Sequence, residues 1–392
     1  MILRTNIKCL TCGELYTTRI SIGHQSRQEH TFICKSCHEE IKIGLDLDQI
    51  KIDWDFECVS NCEVTKEPGH IINFHPELMI PEHLKNSDFV SPFLLQAFNL
   101  TKNLPHENPD EDMLKDARFV MNVNNEWPSL KQSWSLKLNK KDILSSKKAT
   151  EEGNSFRYRV QILDVYEWIY QFSLRILQPK LVHLYDTPMK LMGEIALENP
   201  TAFHDFKNFY TTNWLNEHSR KFYNIYSEFF KHFNEFNQIM IYHRNDLGIP
   251  ESYTVTSTNF NDLKHAYGNI YESYTSCLAF IACLNNLKNK RNFNKFATMD
   301  LKKYLSIDKA KRADPFKDVA CFSIFSECID SSLRNASHHG DIELDHTTGI
   351  IMYKSGKSKH QNTITYTEYL RKCIDIFTRS VVIFMLELPL TR

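Results

Sequence analysis

The chain has 392 residues, of which 42% are hydrophobic and 24% charged, with 11 glycines and a formal net charge of −1. That length accommodates two or three domains, the composition excludes an intrinsically disordered chain, and scarce glycine argues against a turn-rich all-β protein. The balanced charge excludes a globally basic nucleic-acid binder, so any nucleic-acid surface must be local or assembled between subunits.

The first chemical signal is a pair of pairs. Cys9-x-x-Cys12 and Cys34-x-x-Cys37 are separated by 21 residues. Each C-x-x-C lets one tight turn aim two thiolates at a common point, and two such knuckles close a tetrahedral site with no position left for water. This is the zinc-ribbon pattern, and it predicts a structural rather than a catalytic Zn2+ bound by Cys9, Cys12, Cys34 and Cys37. Segments Tyr16 to His24 and Thr31 to Ile33 suit the strands between the knuckles. Cys58-x-x-x-Cys62 is a looser pair, with His24, His30, His38, His70 and His75 nearby but no matching second pair to complete a site. Apolar and polar residues alternate from Lys42 to Asp48, Ile50 to Phe56 and Ile71 to Phe74, the period of half-buried strands. Residues 1–100 therefore read as a β-rich domain containing the ribbon, which could recognise nucleic acid or protein equally well.

Met1-Ile2-Leu3-Arg4 leads straight into polar sequence and a Cys pair, and the last long apolar stretch is broken by Glu387 and Pro389. Both predict a cytoplasmic protein with no membrane partner, where 11 cysteines suggest metal ligands rather than disulfides.

Residues 101–155 lose periodicity and read as a connector. Pro105 to Asp112 and Leu144 to Lys148 look like loops, although Trp127, Trp134 and Leu136 could dock on a neighbour. Residues 156–250 form a helical middle region. Val160, Leu163, Trp168, Ile169, Phe172 and Ile176 make one apolar stripe that ends before Pro179. Aromatic residues from Phe203 through Tyr226 to Phe236 continue at three- and four-residue steps; such a ladder could stack nucleobases, but the spacing favours a helix core or an oligomer face.

Residues 251–392 carry a long amphipathic helix marked by Leu263 to Leu284, and a second marked by Phe322, Phe325, Ile329 and Leu333. A short hairpin follows, Asp341 to Asp345 and Gly349 to Tyr353, turning at His346-Thr347-Thr348. The last helix opens on a capping box, Thr365-x-x-Glu368. The fold class is α+β, mainly α.

Between the second helix and the hairpin lies Arg334-Asn335-Ala336-Ser337-His338-His339-Gly340. An Arg followed by a His after a few residues carries little information alone, and Arg19 with His24 repeats it inside the ribbon. Arg334 is set apart by its context: it closes an amphipathic helix, Asn follows it, and Gly340 breaks the chain before the hairpin. This order resembles the HEPN (higher eukaryotes and prokaryotes nucleotide-binding) superfamily, in the Arg-Asn-Ala-x-x-His-Gly form of its abortive-infection ribonucleases. The resemblance spans residues 254–390. It implies a helical bundle, metal-independent endoribonuclease activity, Arg334 and His339 as catalytic pair, Asn335 as the residue orienting them and His338 as second choice. With one motif per chain, it also implies a homodimer with a composite cleft.

The residue types suit that chemistry. His titrates near neutral pH and can move the proton of a ribose 2′-hydroxyl, while a guanidinium matches the oxygens of a pentacoordinate phosphorane. The products would be a 2′,3′-cyclic phosphate and a 5′-hydroxyl. By family analogy the chain is a toxin or antiphage defence effector acting on an RNA substrate, with a protein regulator or antitoxin as a further partner. The competing expectations are a non-catalytic HEPN interaction protein and a zinc-ribbon regulator that binds nucleic acid. Phosphate-binding Gly loops, G-x-S-x-G, H-E-x-x-H and kinase motifs are missing from the sequence.

Overall fold

The computed structural model describes residues 2–21, 27–48, 53–74, 80–81, 111–156, 158–249, 253–355 and 360–391. Two hairpins begin the chain. β1 (Ile2–Cys9) pairs antiparallel with β2 (Leu15–Ser21), and β3 (Arg27–Ile33) with β4 (Glu40–Asp48), so each C-x-x-C sits in the turn of its own hairpin. β5 (Asp53–Ser60) extends the second hairpin; β6 (Cys62–Val64) and β7 (His70–Phe74) flank the first, giving sheets ordered β6-β1-β2-β7 and β3-β4-β5. In β4, Ile41, Ile43, Leu45 and Leu47 are buried and Glu40 and Asp46 exposed, the period-two pattern expected of a strand covered on one face. With Ile7, Tyr16, Ile20, Phe32 and Phe74 they form a small core separate from the rest of the molecule. β8 (Ile80–Pro81) pairs with β9 (Tyr253–Thr254).

The connector expected over residues 101–155 is instead helical in its described part, as α1 (Glu111–Leu138) and α2 (Asp142–Lys148). Val123, Trp127, Leu130 and Trp134 are buried. Their steps of four, three and four residues align them on one stripe, diluted by polar neighbours and by Pro128 within the helix. Residues 101–110 of that expected connector, and His24, Ile50 and His75, lie outside the described residues.

α3 (Val165–Leu177) starts where the Asp164 carboxylate accepts the Glu167 N–H at 2.8 Å. Val160 and Leu163, expected on its stripe, precede this cap and are exposed. α4 (Lys180–Glu198), α5 (Pro200–Asn213), α6 (Leu215–Lys231) and α7 (Phe233–Arg244) follow. The aromatic ladder turns inward: Phe206, Tyr210, Phe222, Tyr226, Phe229 and Phe236 are each 2% exposed or less, so they are core rather than a stacking platform for bases. Phe229 stacks on Phe377 with centroids 3.7 Å apart.

After α8 (Phe260–Leu263) comes α9 (Ala266–Lys288), buried on nearly every side and not amphipathic as its spacing suggested. A helix apolar all round is a central one. α10 (Leu301–Ser306) is short. The helix expected through Phe322 and Phe325 is a run of turns with one 3₁₀ turn, Ser323–Phe325, whose i,i+3 period the apolar spacing had matched. Helix resumes only at α11 (Ser331–His339), capped by Asp330, whose carboxylate accepts the Leu333 N–H at 2.9 Å. Arg334 therefore lies near the start of its helix rather than closing it.

The hairpin is present as β10 (Ile342–Asp345) and β11 (Ile350–Ser355), and a third strand, β12 (His360–Thr365), joins it. α12 (Tyr366–Glu387) opens with Thr365 Oγ1 accepting the Glu368 N–H at 3.1 Å. Only half of the capping box forms, because the Glu368 carboxylate binds Arg371 at 2.6 Å instead of reaching back. α12 packs against α3, α4, α6, α7 and α9. One continuous apolar core runs from Val123 to Leu390, joining the stretches that the sequence divides near residues 155 and 250. Among the described residues no helix is long and apolar enough to cross a membrane.

Candidate functional site

The four paired cysteines converge. Their sulfurs all lie within 4.8 Å of one another, with Cys9 to Cys37 at 3.8 Å and Cys12 to Cys34 at 3.6 Å. Tetrahedral coordination at about 2.3 Å from metal to sulfur requires sulfurs about 3.8 Å apart, so this cluster fits a metal ion. The two knuckles share one backbone plan. Cys9 N–H donates to Glu14 O at 2.9 Å and Cys34 N–H to Glu39 O at 2.8 Å. Gly13 (φ 82°) and His38 (φ 61°) occupy equivalent left-handed positions. Burial opposes ionisation of Cys34, but the Tyr16 hydroxyl at 3.2 Å and the N–H groups of Ser36 and Cys37 outweigh it and hold the thiol down at about 6. Cys58 and Cys62 gather no further ligands among the described residues. His30 is buried against Phe74 with neither ring nitrogen partnered among the described residues, and burial pushes its pKa down to about 3.

The second site is built on α11 where it crosses α9. Arg334 Nε donates to Glu272 Oε1 at 2.6 Å, its Nη2 donates to the same oxygen, and its Nη1 donates to Asn335 Oδ1 at 2.8 Å. Glu272 Oε2 takes the Lys309 ammonium, which also donates to the Glu272 carbonyl at 3.0 Å. Burial raises the Glu272 carboxyl, but these two cations prevail and hold it below the usual carboxylate range. The Arg334 side chain is 28% exposed, and among the described residues its guanidinium keeps one hydrogen on each terminal nitrogen unclaimed.

Ser337 locks the crossing. Its hydroxyl donates to Lys264 O at 2.5 Å and accepts the Gly268 N–H at 3.2 Å, while His265 Nδ1 lies 2.7 Å from Ser337 O. Gly268 permits this approach, since a Cβ there would stand 3.3 Å from His338 N and from Ser337 Oγ. Gly340, at φ 73°, ends α11 as its sequence position predicted. His338 and His339 are exposed at this end, with rings 5.7 Å apart and no hydrogen bond among the described residues.

The structure thus presents Arg334, Asn335, His338 and His339 on one short helix but does not aim them all at one point. At about 100° per residue, His338 shares the face of Arg334, and His339 is turned about 140° from it. Glu272, Lys309, Ser337 and Gly268 were missed in the sequence because they lie outside the motif or carry no motif role; Asp330, three residues before Leu333, was a readable cap.

The β-rich part rests close by. Thr31 N–H donates to Thr258 O at 2.7 Å and Asn261 Nδ2 to Glu40 Oε2 at 2.7 Å, just before α8 leads into Lys264. A cavity of about 630 Å³ lies elsewhere, between α4, α7 and the start of α12. Its charged walls are paired, Lys180 with Asp246 at 3.1 Å and Arg371 with Glu368 at 2.6 Å.

No protein-family model, curated protein or solved structure matches the chain.

Proposed function

We propose that the chain is a metal-independent endoribonuclease of HEPN type whose active site is completed between two copies. The observation that carries this reading is the Arg334 guanidinium, oriented by Glu272 with two N–H groups unclaimed among the described residues, on the same helix as two exposed histidines. Free N–H groups can bind a phosphate, and a histidine can move the 2′-hydroxyl proton. Because Arg334 and His339 diverge around α11, this reading places the reaction between two copies, with Arg334 of one protomer acting together with His339 of its partner. The four cysteines would hold a structural Zn2+, with no open position for catalysis. A toxin or antiphage role, with a protein regulator or antitoxin as partner, is the biological setting that the resemblance implies.

One observation favours a second reading. Three of the five Arg334 N–H groups already serve neighbours within the chain, as in a structural ion pair, which suits a non-catalytic interaction protein. The test is cleavage of single-stranded RNA without added divalent ions by wild type, Arg334→Ala, His338→Ala and His339→Ala, with product ends read for 2′,3′-cyclic phosphate. Cleavage lost in Arg334→Ala and His339→Ala but kept in His338→Ala supports the pair as assigned. Equal cleavage by all four sinks it.

A further inference from the structure

The near-neutral chain hides a strongly basic segment. Residues 288–317 carry ten Lys or Arg against three Asp and no Glu, in a chain whose net charge is −1. The segment is a strap folded back on α9. Lys288, Lys290 and Arg291 are exposed at the helix end, where Arg291 N–H donates to Asn286 O at 3.0 Å. The strap is anchored by side chains under it: Asn286 Nδ2 donates to Phe293 O at 2.9 Å, Phe296 stacks on Tyr304 at 4.5 Å, and the Tyr304 hydroxyl donates to Arg312 O at 2.7 Å. Lys295, Lys302, Lys303 and Lys311 stand exposed on this frame. Among the described residues, none of the seven exposed cations from Lys288 to Lys311 pairs with a carboxylate.

The strap also has a direction. It leaves α9 at Lys288 and returns to it at Lys309, which binds Glu272, the residue that holds Arg334. Lys288 and Glu272 are sixteen residues apart, about 24 Å along a helix. Anchored backbone, unpaired cations and a path ending at the Arg334 guanidinium are what a phosphodiester backbone requires: charge at intervals along a track, without fixed base contacts.

We propose that residues 288–311 form a binding track for the backbone of single-stranded RNA that delivers it to Arg334. The choice of RNA rests on the ribonuclease reading; the track itself rests on the charge and its placement.

The test uses the full chain and a fluorescent 2′-O-methyl oligoribonucleotide, which cannot be cut through its 2′-oxygen. Binding is followed by anisotropy over a salt series, for wild type and for a variant combining Arg291→Gln, Lys295→Gln, Lys302→Gln and Lys303→Gln. All four side chains are exposed, and circular dichroism checks the fold. Removing four phosphate contacts should weaken binding about tenfold or more near 0.1 M salt and flatten the slope of log affinity against log salt by about 3. Unchanged affinity overturns the track. Tighter charge-dependent binding to polyglutamate or to phosphatidylserine vesicles than to the oligonucleotide overturns it in favour of an acidic protein or a membrane surface. Binding lost in the variant, with unmodified RNA left uncut by wild type, sustains the track and fails the ribonuclease reading.

Discussion

Arg334 and Glu272 meet through a single carboxylate oxygen, Oε1, which accepts from both Nε and Nη2 of the guanidinium. The other oxygen belongs to Lys309, so one carboxylate on α9 fixes two cations from two different segments. Glu272→Gln would keep the size but lose the charge that both cations need. The expected result is a loss of about 1–2 kcal/mol in stability, since both side chains are about three-quarters buried and the bonds are charge-assisted. If Arg334 works on phosphate, cleavage should fall about tenfold or more as the guanidinium loses its orientation. Urea unfolding and initial cleavage rates separate the two effects. Full activity in a destabilised variant would show that Glu272 only staples α11 to α9.

Ser337 acts as a cap supplied from outside the helix it caps. Gly268 is the third residue of α9, one of the positions whose N–H has no partner within the helix, and His265 before the helix provides no side-chain cap. Ser337 Oγ accepts that N–H instead. Ser337→Ala is expected to destabilise the protein by about 1–2 kcal/mol and to speed amide exchange at Gly268. Exchange at Gly268 no faster than in wild type would contradict the assignment.

What could be read from the sequence follows from how locally each feature is encoded. The knuckles need only four residues each, and Thr365, Gly340 and the turn after Asp345 act on their immediate neighbours, so these were legible. The helix through Phe322 was not, because the three-residue step from Phe322 to Phe325 satisfies a 3₁₀ turn as well as one side of an α-helix. α1 escaped because its four buried apolar residues among those described are spread over three turns with polar ones between them. β12 escaped because His360 to Thr365 is mostly polar and owes its pairing to β11. Glu272 escaped for a different reason. It is separated from Arg334 by 62 residues, and nothing near it marks it as the partner of an arginine.

The cysteine cluster makes a prediction confined to one part of the molecule. The β-rich part has its own small core, while the helices share another. Purified protein should carry about one zinc per chain by elemental analysis, since four thiolates at this spacing supply one closed site. A strong chelator, or Cys34→Ser, should melt the β-rich part and leave most of the helical circular dichroism in place, because metal binding supplies the folding energy of such small modules. A metal-free preparation with an unchanged thermal transition would rule the structural role out.

Glu126 gives the protein a pH dependence opposite in sign to that of a paired carboxylate. It is buried on α1, where Oε1 accepts the Trp168 Nε1–H at 2.7 Å and the Tyr158 hydroxyl, while Oε2 has no partner among the described residues. Burial raises its pKa from the ordinary 4.5 to about 7, against the lowering effect of Tyr158, Trp168 and Arg175. Between those two values the folded chain holds a proton that the unfolded chain releases. The stability contributed by this group is therefore fully present below about pH 4.5, falls by about 1.4 kcal/mol per pH unit above it, and levels off beyond pH 7, a total of roughly 3 kcal/mol. Glu126→Gln retains a carbonyl acceptor for Trp168 but does not titrate. Urea unfolding of both proteins at pH 5, 6, 7 and 8 should show their stability difference shifting in favour of the variant up to pH 7 and then holding steady. Parallel profiles would mean that Glu126 stays ionised in the fold, and that the Trp168 and Tyr158 donors suffice to stabilise its charge there.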